Sequence, residues 1–249
     1  MSASAGVHVD LAKGTALVAT LARSYRAPAL EELYNFGPHV GNLAFEIGNT
    51  NLGREASVGV DVSLRHRSRR ARGEINAFVY DIDDFVYAGA RTDVPSSDLF
   101  VIEYQQGKSR FTGFDGQISV SLHDYLWVNA SAGYVRAELT QTGTAIPRIP
   151  PFHGRLSVDV PYRGLTLSPE LVWAARQDRL FTNETETAGY ALFNVTASYI
   201  RARGHYAHIF SLSGLNLTNE LYRRHTSLVK DLAPELGRAV RVSYGVRLF

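Results

Sequence analysis

The chain has 249 residues, a formal net charge of +2 and no cysteine, with 20% charged and 11% aromatic side chains. The missing cysteine excludes a disulfide framework, a thiolate metal site and a thiol nucleophile, and so small a charge offers no tail for nucleic acid. No apolar run approaches the roughly 20 residues of a transmembrane helix, and Met1-Ser2-Ala3-Ser4-Ala5-Gly6 lacks the basic segment and apolar core of a signal peptide.

Composition alone would suit a soluble cytoplasmic protein; the periodicity argues otherwise. In chain order, the first connection is the short Ala12-Lys13-Gly14 and the second the long stretch from Arg26 to Gly53. From Glu55 to Arg65 the alternation is strict. Ala56, Val58, Val60, Val62 and Leu64 fall on one parity, and Glu55, Ser57, Gly59, Asp61, Ser63 and Arg65 on the other. Successive strand side chains point to opposite faces, so one face is apolar and the other polar. An Arg-rich turn, Arg67 to Arg72, comes next, then a long connection from Ala88 to Asp98. Phe114, Ile118, Val120 and Leu122 oppose Asp115, Gln117, Ser119 and Ser121. Beyond His123-Asp124, Leu126, Val128, Ala130, Ala132 and Tyr134 oppose Asn129, Ser131 and Gly133, and a long connection runs from Ala137 to Pro151.

The short Tyr162-Arg163-Gly164 turn leads into Leu165, Leu167, Leu171 and Trp173, set against Thr166, Ser168 and Glu170. Gln177 to Ala188 is long again. Ala191, Phe193, Val195, Ala197 and Tyr199 then oppose Asn194, Thr196 and Ser198. Arg201 to His205 is short, Thr218 to Gly237 long, and Val240, Val242, Tyr244, Val246 and Leu248 close the series against Arg241, Ser243 and Arg247. This predicts about eleven strands of about ten residues, the length that crosses a bilayer when tilted. Short turns on one side and long loops on the other describe an outer-membrane barrel, and a β-sandwich segregates its connections less regularly. The expected fold class is therefore all-β, an antiparallel transmembrane β-barrel wall, with residues 1–249 forming a single domain of the outer membrane of a Gram-negative bacterium, incomplete by the resemblance given below. Outer-membrane lipid is the first expected partner. As a set, Tyr25, Tyr87, Tyr134, Trp173 and Tyr222 suit interfacial aromatic girdles; singly, each reads equally as an ordinary strand aromatic. Asp61, Asp115, Glu170, Arg241 and Arg247 share the inner parity and are expected to pair with neighbouring strands or, as the resemblance given below implies, with a plug. Phe249 supplies an aromatic last residue, but Leu248 rather than Phe249 continues the apolar parity.

The stretch Ala22-Arg23-Ser24-Tyr25-Arg26-Ala27-Pro28-Ala29-Leu30-Glu31-Glu32-Leu33-Tyr34 resembles a phrase of TonB-dependent receptors, in which a strand ends and a short turn follows. Asn51-Leu52-Gly53-Arg54-Glu55 resembles the phrase opening the next strand, with Thr50 in place of the usual proline. Asp83-Asp84-Phe85-Val86-Tyr87, Phe111-Thr112-Gly113-Phe114-Asp115, Pro147-Arg148-Ile149-Pro150-Pro151 and Asn216-Leu217-Thr218-Asn219-Glu220-Leu221-Tyr222 continue the match in the family's order. The resemblance implies the C-terminal strands of a barrel of about 22, filled by an N-terminal plug that this chain does not contain. It implies an active-transport receptor, not an enzyme, that imports a scarce metal or metal chelate of the zinc or iron-siderophore class. Energy would come from TonB and its inner-membrane complex, acting through the absent N-terminal region. The alternative is a passive, porin-like channel, and the ordered phrases favour the receptor.

Tyr34-Asn35-Phe36-Gly37-Pro38-His39-Val40 with Phe45-Glu46-Ile47-Gly48 resembles receptors linked to zinc uptake. His39 is then the leading candidate zinc donor, with Glu46 as a second; apart from the resemblance, His39 reads as a loop histidine against Pro38 or in solvent. Zinc or an iron chelate would be cargo, with no resident cofactor expected. Glu31, Glu32 and His225 are candidate substrate-loop residues. Their plainer readings are a capping or solvated role for the two carboxylates in a short helical turn and a solvated loop position for the histidine. The Arg-rich turn reads as a solubilising turn or a contact for anionic headgroups or periplasmic partners.

Overall fold

The computed structural model describes residues 1–41, 43–91, 99–182 and 184–248. In chain order the elements are β1 (Ala3–Ala12), β2 (Thr15–Arg26), α1 (Leu30–Tyr34), β3 (Phe36–His39), β4 (Ala44–Ile47), β5 (Glu55–Arg67), β6 (Ala71–Ala90), β7 (Phe100–His123), β8 (Leu126–Leu139), β9 (Thr144–Ala145), β10 (His153–Tyr162), β11 (Leu165–Ala174), β12 (Tyr190–Arg203), β13 (Tyr206–Leu215) and β14 (Ala239–Leu248). They form one 14-stranded sheet. Its main path runs β1-β2-β5-β6-β7-β8-β10-β11-β12-β13-β14, and every neighbour on it is antiparallel. These are the eleven strands expected. Three short strands lie off the path within the long connections, and β4 runs parallel to β7.

Short and long connections alternate, so in a sheet of this topology all the long ones leave from the same end. Two strands reach about twice the expected length: β6 has 20 residues and β7 has 24. Their hairpin projects beyond its neighbours at the long-loop end. A bulge between Ile82 and Phe85, with Asp84 at φ 56°, interrupts their register. Two residues are absorbed there against one on β7, so the inward parity moves from Phe78, Tyr80 and Ile82 to Phe85 and Tyr87.

The apolar parity is solvent-facing throughout. Leu21, Val60, Val62, Leu64, Ile75, Val79, Ile118, Leu156, Leu167, Phe210 and Val242 are all exposed. A monomeric soluble protein rarely presents an apolar patch beyond a few hundred Å², whereas a barrel wall does so against lipid. No helix among the described residues is long and apolar enough to cross a membrane.

Register gives this apolar band its edges. Leu21, Val60 and Val79 lie side by side across β2, β5 and β6. One step toward the long loops, the same face carries Arg23, Val58, Asp81, Arg110 and Glu138. Asp81 accepts two bonds from Arg110, at 2.6 and 3.0 Å. At the short-turn end the outer row reads Tyr162, Leu165, Tyr199, Phe210 and Tyr244. The band therefore ends in charge on one side and in tyrosine on the other. Tyr25, Tyr134 and Trp173 share the outer parity, as a girdle requires. Tyr87 and Tyr222 do not serve in it: Tyr87 packs on Phe181 at 5.8 Å, and Tyr222, 9% exposed, packs on Tyr190 at 4.7 Å. The bulge turned the first inward, and a folded-over loop buried the second.

The polar face is stitched by short cross-strand bonds. Tyr80 donates to Asp61 at 2.7 Å, Ser63 to Asn76 at 2.9 Å, and Asn129 to Asp159 at 2.8 Å. The Tyr80 ring lies over Gly59 where any side chain would stand, which requires glycine there. Dry packing is concentrated at the long-loop end, where Ala137, Leu139 and Ile146 pack with Phe85, Tyr87, Phe111, Val135, Ile149 and Phe181.

Val62 lies near the middle of the apolar band of β5 and Val58 at its charged edge. Val62→Arg should cost about 2–4 kcal/mol of assembly stability and Val58→Arg about 0–1 kcal/mol. Urea unfolding of the full-length protein in vesicles measures both, and equal costs would contradict the lipid-facing assignment. The sheet also ends at β1 and β14, each paired on one side only. Unpaired edges are untenable in lipid. Refolded alone in micelles, residues 1–249 should give mixed, protease-sensitive species by size analysis; a monodisperse protected monomer would refute this.

Candidate functional site

The long connections carry the side chains that can meet a ligand. The first leaves β2 at Arg26, an inward residue at the strand end. Its guanidinium donates to both oxygens of Glu55, at 2.7 and 2.6 Å, and to both oxygens of Glu32, at 3.1 and 2.9 Å. Glu55 also accepts from the Val86 amide at 2.7 Å. Glu32 accepts from the Ala29 amide at 2.7 Å, satisfying a free donor at the start of α1. Glu32 therefore anchors the loop to the wall, while Glu31 is exposed and turned to solvent.

After α1 the chain makes the β3–β4 hairpin, and β4 adds to β7 beyond the membrane band. This seats Glu46, 3% exposed, against the wall. Glu46 accepts from Asn35 at 2.6 Å and from the Tyr104 hydroxyl at 3.4 Å, and it meets His39 Nδ1 at 2.9 Å. The two zinc candidates are thus brought together in a fixed order: Glu46 is the buried orienter and His39 the exposed partner. A carboxylate on Nδ1–H leaves the Nε2 lone pair facing outward, an arrangement common behind metal-bound histidines. Among the described residues no group of three or more His, Asp or Glu side chains is poised to hold a metal ion.

The remaining long loops fold over the polar face. Gln177 donates to the Ile149 carbonyl at 2.8 Å and pairs with Thr187 in an isolated bridge. Glu184 accepts from the amides of Arg148 at 2.7 Å and Phe181 at 2.9 Å, tying together the connections before β10 and before β12. His225, expected in solvent, is instead 3% exposed. Its Nδ1 meets the Thr187 hydroxyl at 2.9 Å, and its Nε2, which has no hydrogen-bond partner among the described residues, lies 3.7 Å from Glu184. The reason is tertiary: the last long loop lies across the one before it, and the Lys230 ammonium caps the Thr185 carbonyl at 3.0 Å.

Below these loops the wall and the last loop flank an open cavity of about 700 Å³. Wall residues Asp115, Gln117, Ser131, His153 and Arg155 face Arg223, Arg224 and Thr226 across it. Arg155 pairs with Glu170, which also accepts from Asn194 at 2.9 Å, so the wall arginine is held. His153 Nδ1 bonds the Pro151 carbonyl at 2.9 Å. Sequence reading passed over His153 and Arg155. The signal was present: both have inward parity directly after a long connection, at the mouth of the wall.

The sequence model of the family described as "TonB dependent receptor-like, beta-barrel" matches residues 2–219. Among solved structures, the fold is similar to the copper transporter OprC, with a TM-score of 0.84 and 20% identity over 97% of this chain and 38% of that one. It is similar to the ferric enterobactin receptor PfeA in complex with BCV-L6, with a TM-score of 0.73 and 19% identity over 100% and 40% of the two chains. The siderophore receptor PirA of Acinetobacter baumannii matches at 0.72 with 16% identity, over 100% and 41%. At these identities the structures share the fold. The chain spans about two-fifths of the length of each.

Burial pushes the Glu184 carboxyl up, yet the His225 ring and the Phe181 and Arg148 amides outweigh it and hold the group below the ordinary glutamate range. A depressed pKa contributes stability that is present above the unfolded-state value, about 4.3, and lost as pH falls through the folded value. The contact between the loops at 175–189 and 216–238 should therefore loosen below about pH 4.3, and Glu184→Gln should remove most of that dependence. Hydrogen–deuterium exchange of both loops, corrected for intrinsic rates, checks this; identical pH profiles for the two proteins would contradict it.

Proposed function

The chain belongs to the TonB-dependent receptor β-barrel family, and we propose that it is the C-terminal barrel wall of an outer-membrane receptor importing a scarce metal or metal chelate. The observation that carries this reading is the inward folding of the long loops over a polar wall, which leaves a lined cavity at one mouth. A passive pore needs an open lumen; a receptor needs a mouth that holds its cargo. The solved relatives named as a copper transporter and a ferric enterobactin receptor set the chemical class of the proposal. A barrel wall has no energy source of its own, so uphill import would depend on TonB engaging the N-terminal region that lies outside this chain.

For a metal cargo, His39 is the donor this chain would offer, with Glu46 orienting it. Zinc takes about four donors, so the plug or a chelator would complete the set. A chelate cargo would instead sit in the larger cavity, with Arg155, Arg223 and Arg224 meeting its anionic groups.

Uptake of radiolabelled zinc and of a ferric chelate by cells carrying the full-length receptor tests the reading. Uptake should require an intact TonB system, and loss of TonB without loss of uptake would refute the receptor. For zinc, His39→Ala should weaken binding at least tenfold and Glu46→Gln about 10–100-fold, as orienting carboxylates do. His208→Ala, at the opposite end, should change nothing. Unaltered zinc titration in the His39 variant would leave a chelate as the cargo.

A further inference from the structure

The sheet carries a second charged feature, at the short-turn end and on its outer face. Tyr199 is outward in the row with Leu165, Phe210 and Tyr244. By alternation Arg201 and Arg203 are outward too, opposite His208 and Tyr206. The β10–β11 turn carries a third arginine, Arg163, at the same end of the sheet. The Gly164 carbonyl accepts from the Ile200 amide at 2.8 Å, which holds this turn against β12. The Arg163 guanidinium lies over the outward Tyr162 ring, 5.3 Å from its centroid.

All three arginines are exposed. Among the described residues none has a carboxylate partner, whereas Arg26, Arg65, Arg110 and Arg155 elsewhere on the sheet are each paired with one. The nearest acid on β10, Asp159, has inward parity and is engaged by Asn129 and Ser168. The Arg-rich turn before β6 differs: Arg65 and Arg72 have inward parity, and Arg65 is held by Glu74 at 2.7 Å.

Three uncompensated guanidinium groups at the edge of the apolar band, flanked by outward tyrosines, stand at headgroup depth. Desolvated there without a counter-charge they would repel one another; a phosphate diester between them removes that cost and takes bidentate bonds. We propose that Arg163, Arg201 and Arg203 form a headgroup site for an anionic phospholipid of the leaflet on the short-turn side. The site is independent of the cargo, since it lies on the opposite face and the opposite end from the loop cavity.

The test is native mass spectrometry of the full-length receptor in neutral detergent, offered phosphatidylglycerol or phosphatidylcholine. Phosphatidylglycerol should be retained at least tenfold better. With each arginine contributing about fivefold near an anionic surface, the triple variant R163S/R201S/R203S should lose most of that preference. R163K/R201K/R203K should keep much of it, and R223S/R224S at the long-loop end should match the unaltered protein. Retention by the unaltered protein should also fall sharply in high salt, a readout that needs no variant. Equal retention of the two lipids, an unaffected triple serine variant that still assembles, or displacement of the lipid by millimolar inorganic phosphate would each overturn the proposal.

Discussion

A strand in lipid has no water to bond its amides and carbonyls, so both of its sides must be satisfied by other strands. That requirement shapes this sheet more than any side-chain contact. Each inner strand of the main path is bonded to two antiparallel neighbours. With the backbone bonded in the plane, side chains are left to the two faces, and each face meets one solvent. The outer face can then be apolar without a partner protein, and the inner face can carry Asp61, Glu170 and Arg155 without entering lipid. By the same requirement β1 and β14, each bonded on one side among the described residues, would need a further strand apiece in lipid.

A single-layered wall has no sheet-on-sheet interior, so burial must come from elsewhere. Here it comes from the loops. Ala137, Leu139 and Ile146 become a core because the projecting β6–β7 hairpin and the loop carrying Phe181 close over them. The bulge at Ile82–Phe85 is essential to this closure, since without its parity change Phe85 and Tyr87 would point outward into the charged rim. Rigidity at the mouth is thus built from a local irregularity in the ladder together with the loops it meets.

Polar contacts set the loop positions. Arg26 holds two carboxylates that belong to different segments, Glu32 in the loop and Glu55 on the wall. Glu184 joins two loops through backbone amides and draws His225 against it. These anchors fix where each loop begins and crosses its neighbour, with His39 held by Glu46 and with Arg223 and Arg224 lining the cavity. A stiff wall with loops pinned at a few points is suited to holding a cargo at its mouth.

The fold was legible in the sequence because a half-buried strand writes its two environments residue by residue. Val58 to Leu64 against Ser57 to Arg65 needs no tertiary information to be read as a two-faced strand, and the spacing of Gly14, Gly164 and Gly204 marks the tight turns. The phrase from Arg23 to Glu32 likewise carried its own fold, because Arg26 and Glu32 are near in sequence and pair locally. What alternation could not encode is a change of its own phase, so Tyr87 was read as outward until the Asp84 bulge turned it in. Nor could it encode which loop crosses which. His225 and Glu184 are 41 positions apart, and only the packing of two loops buries the histidine beside that carboxylate. His153 and Arg155 became part of a cavity for the same reason: a pocket is closed by residues distant in the chain, and its lining is decided only when the loops come down on the wall.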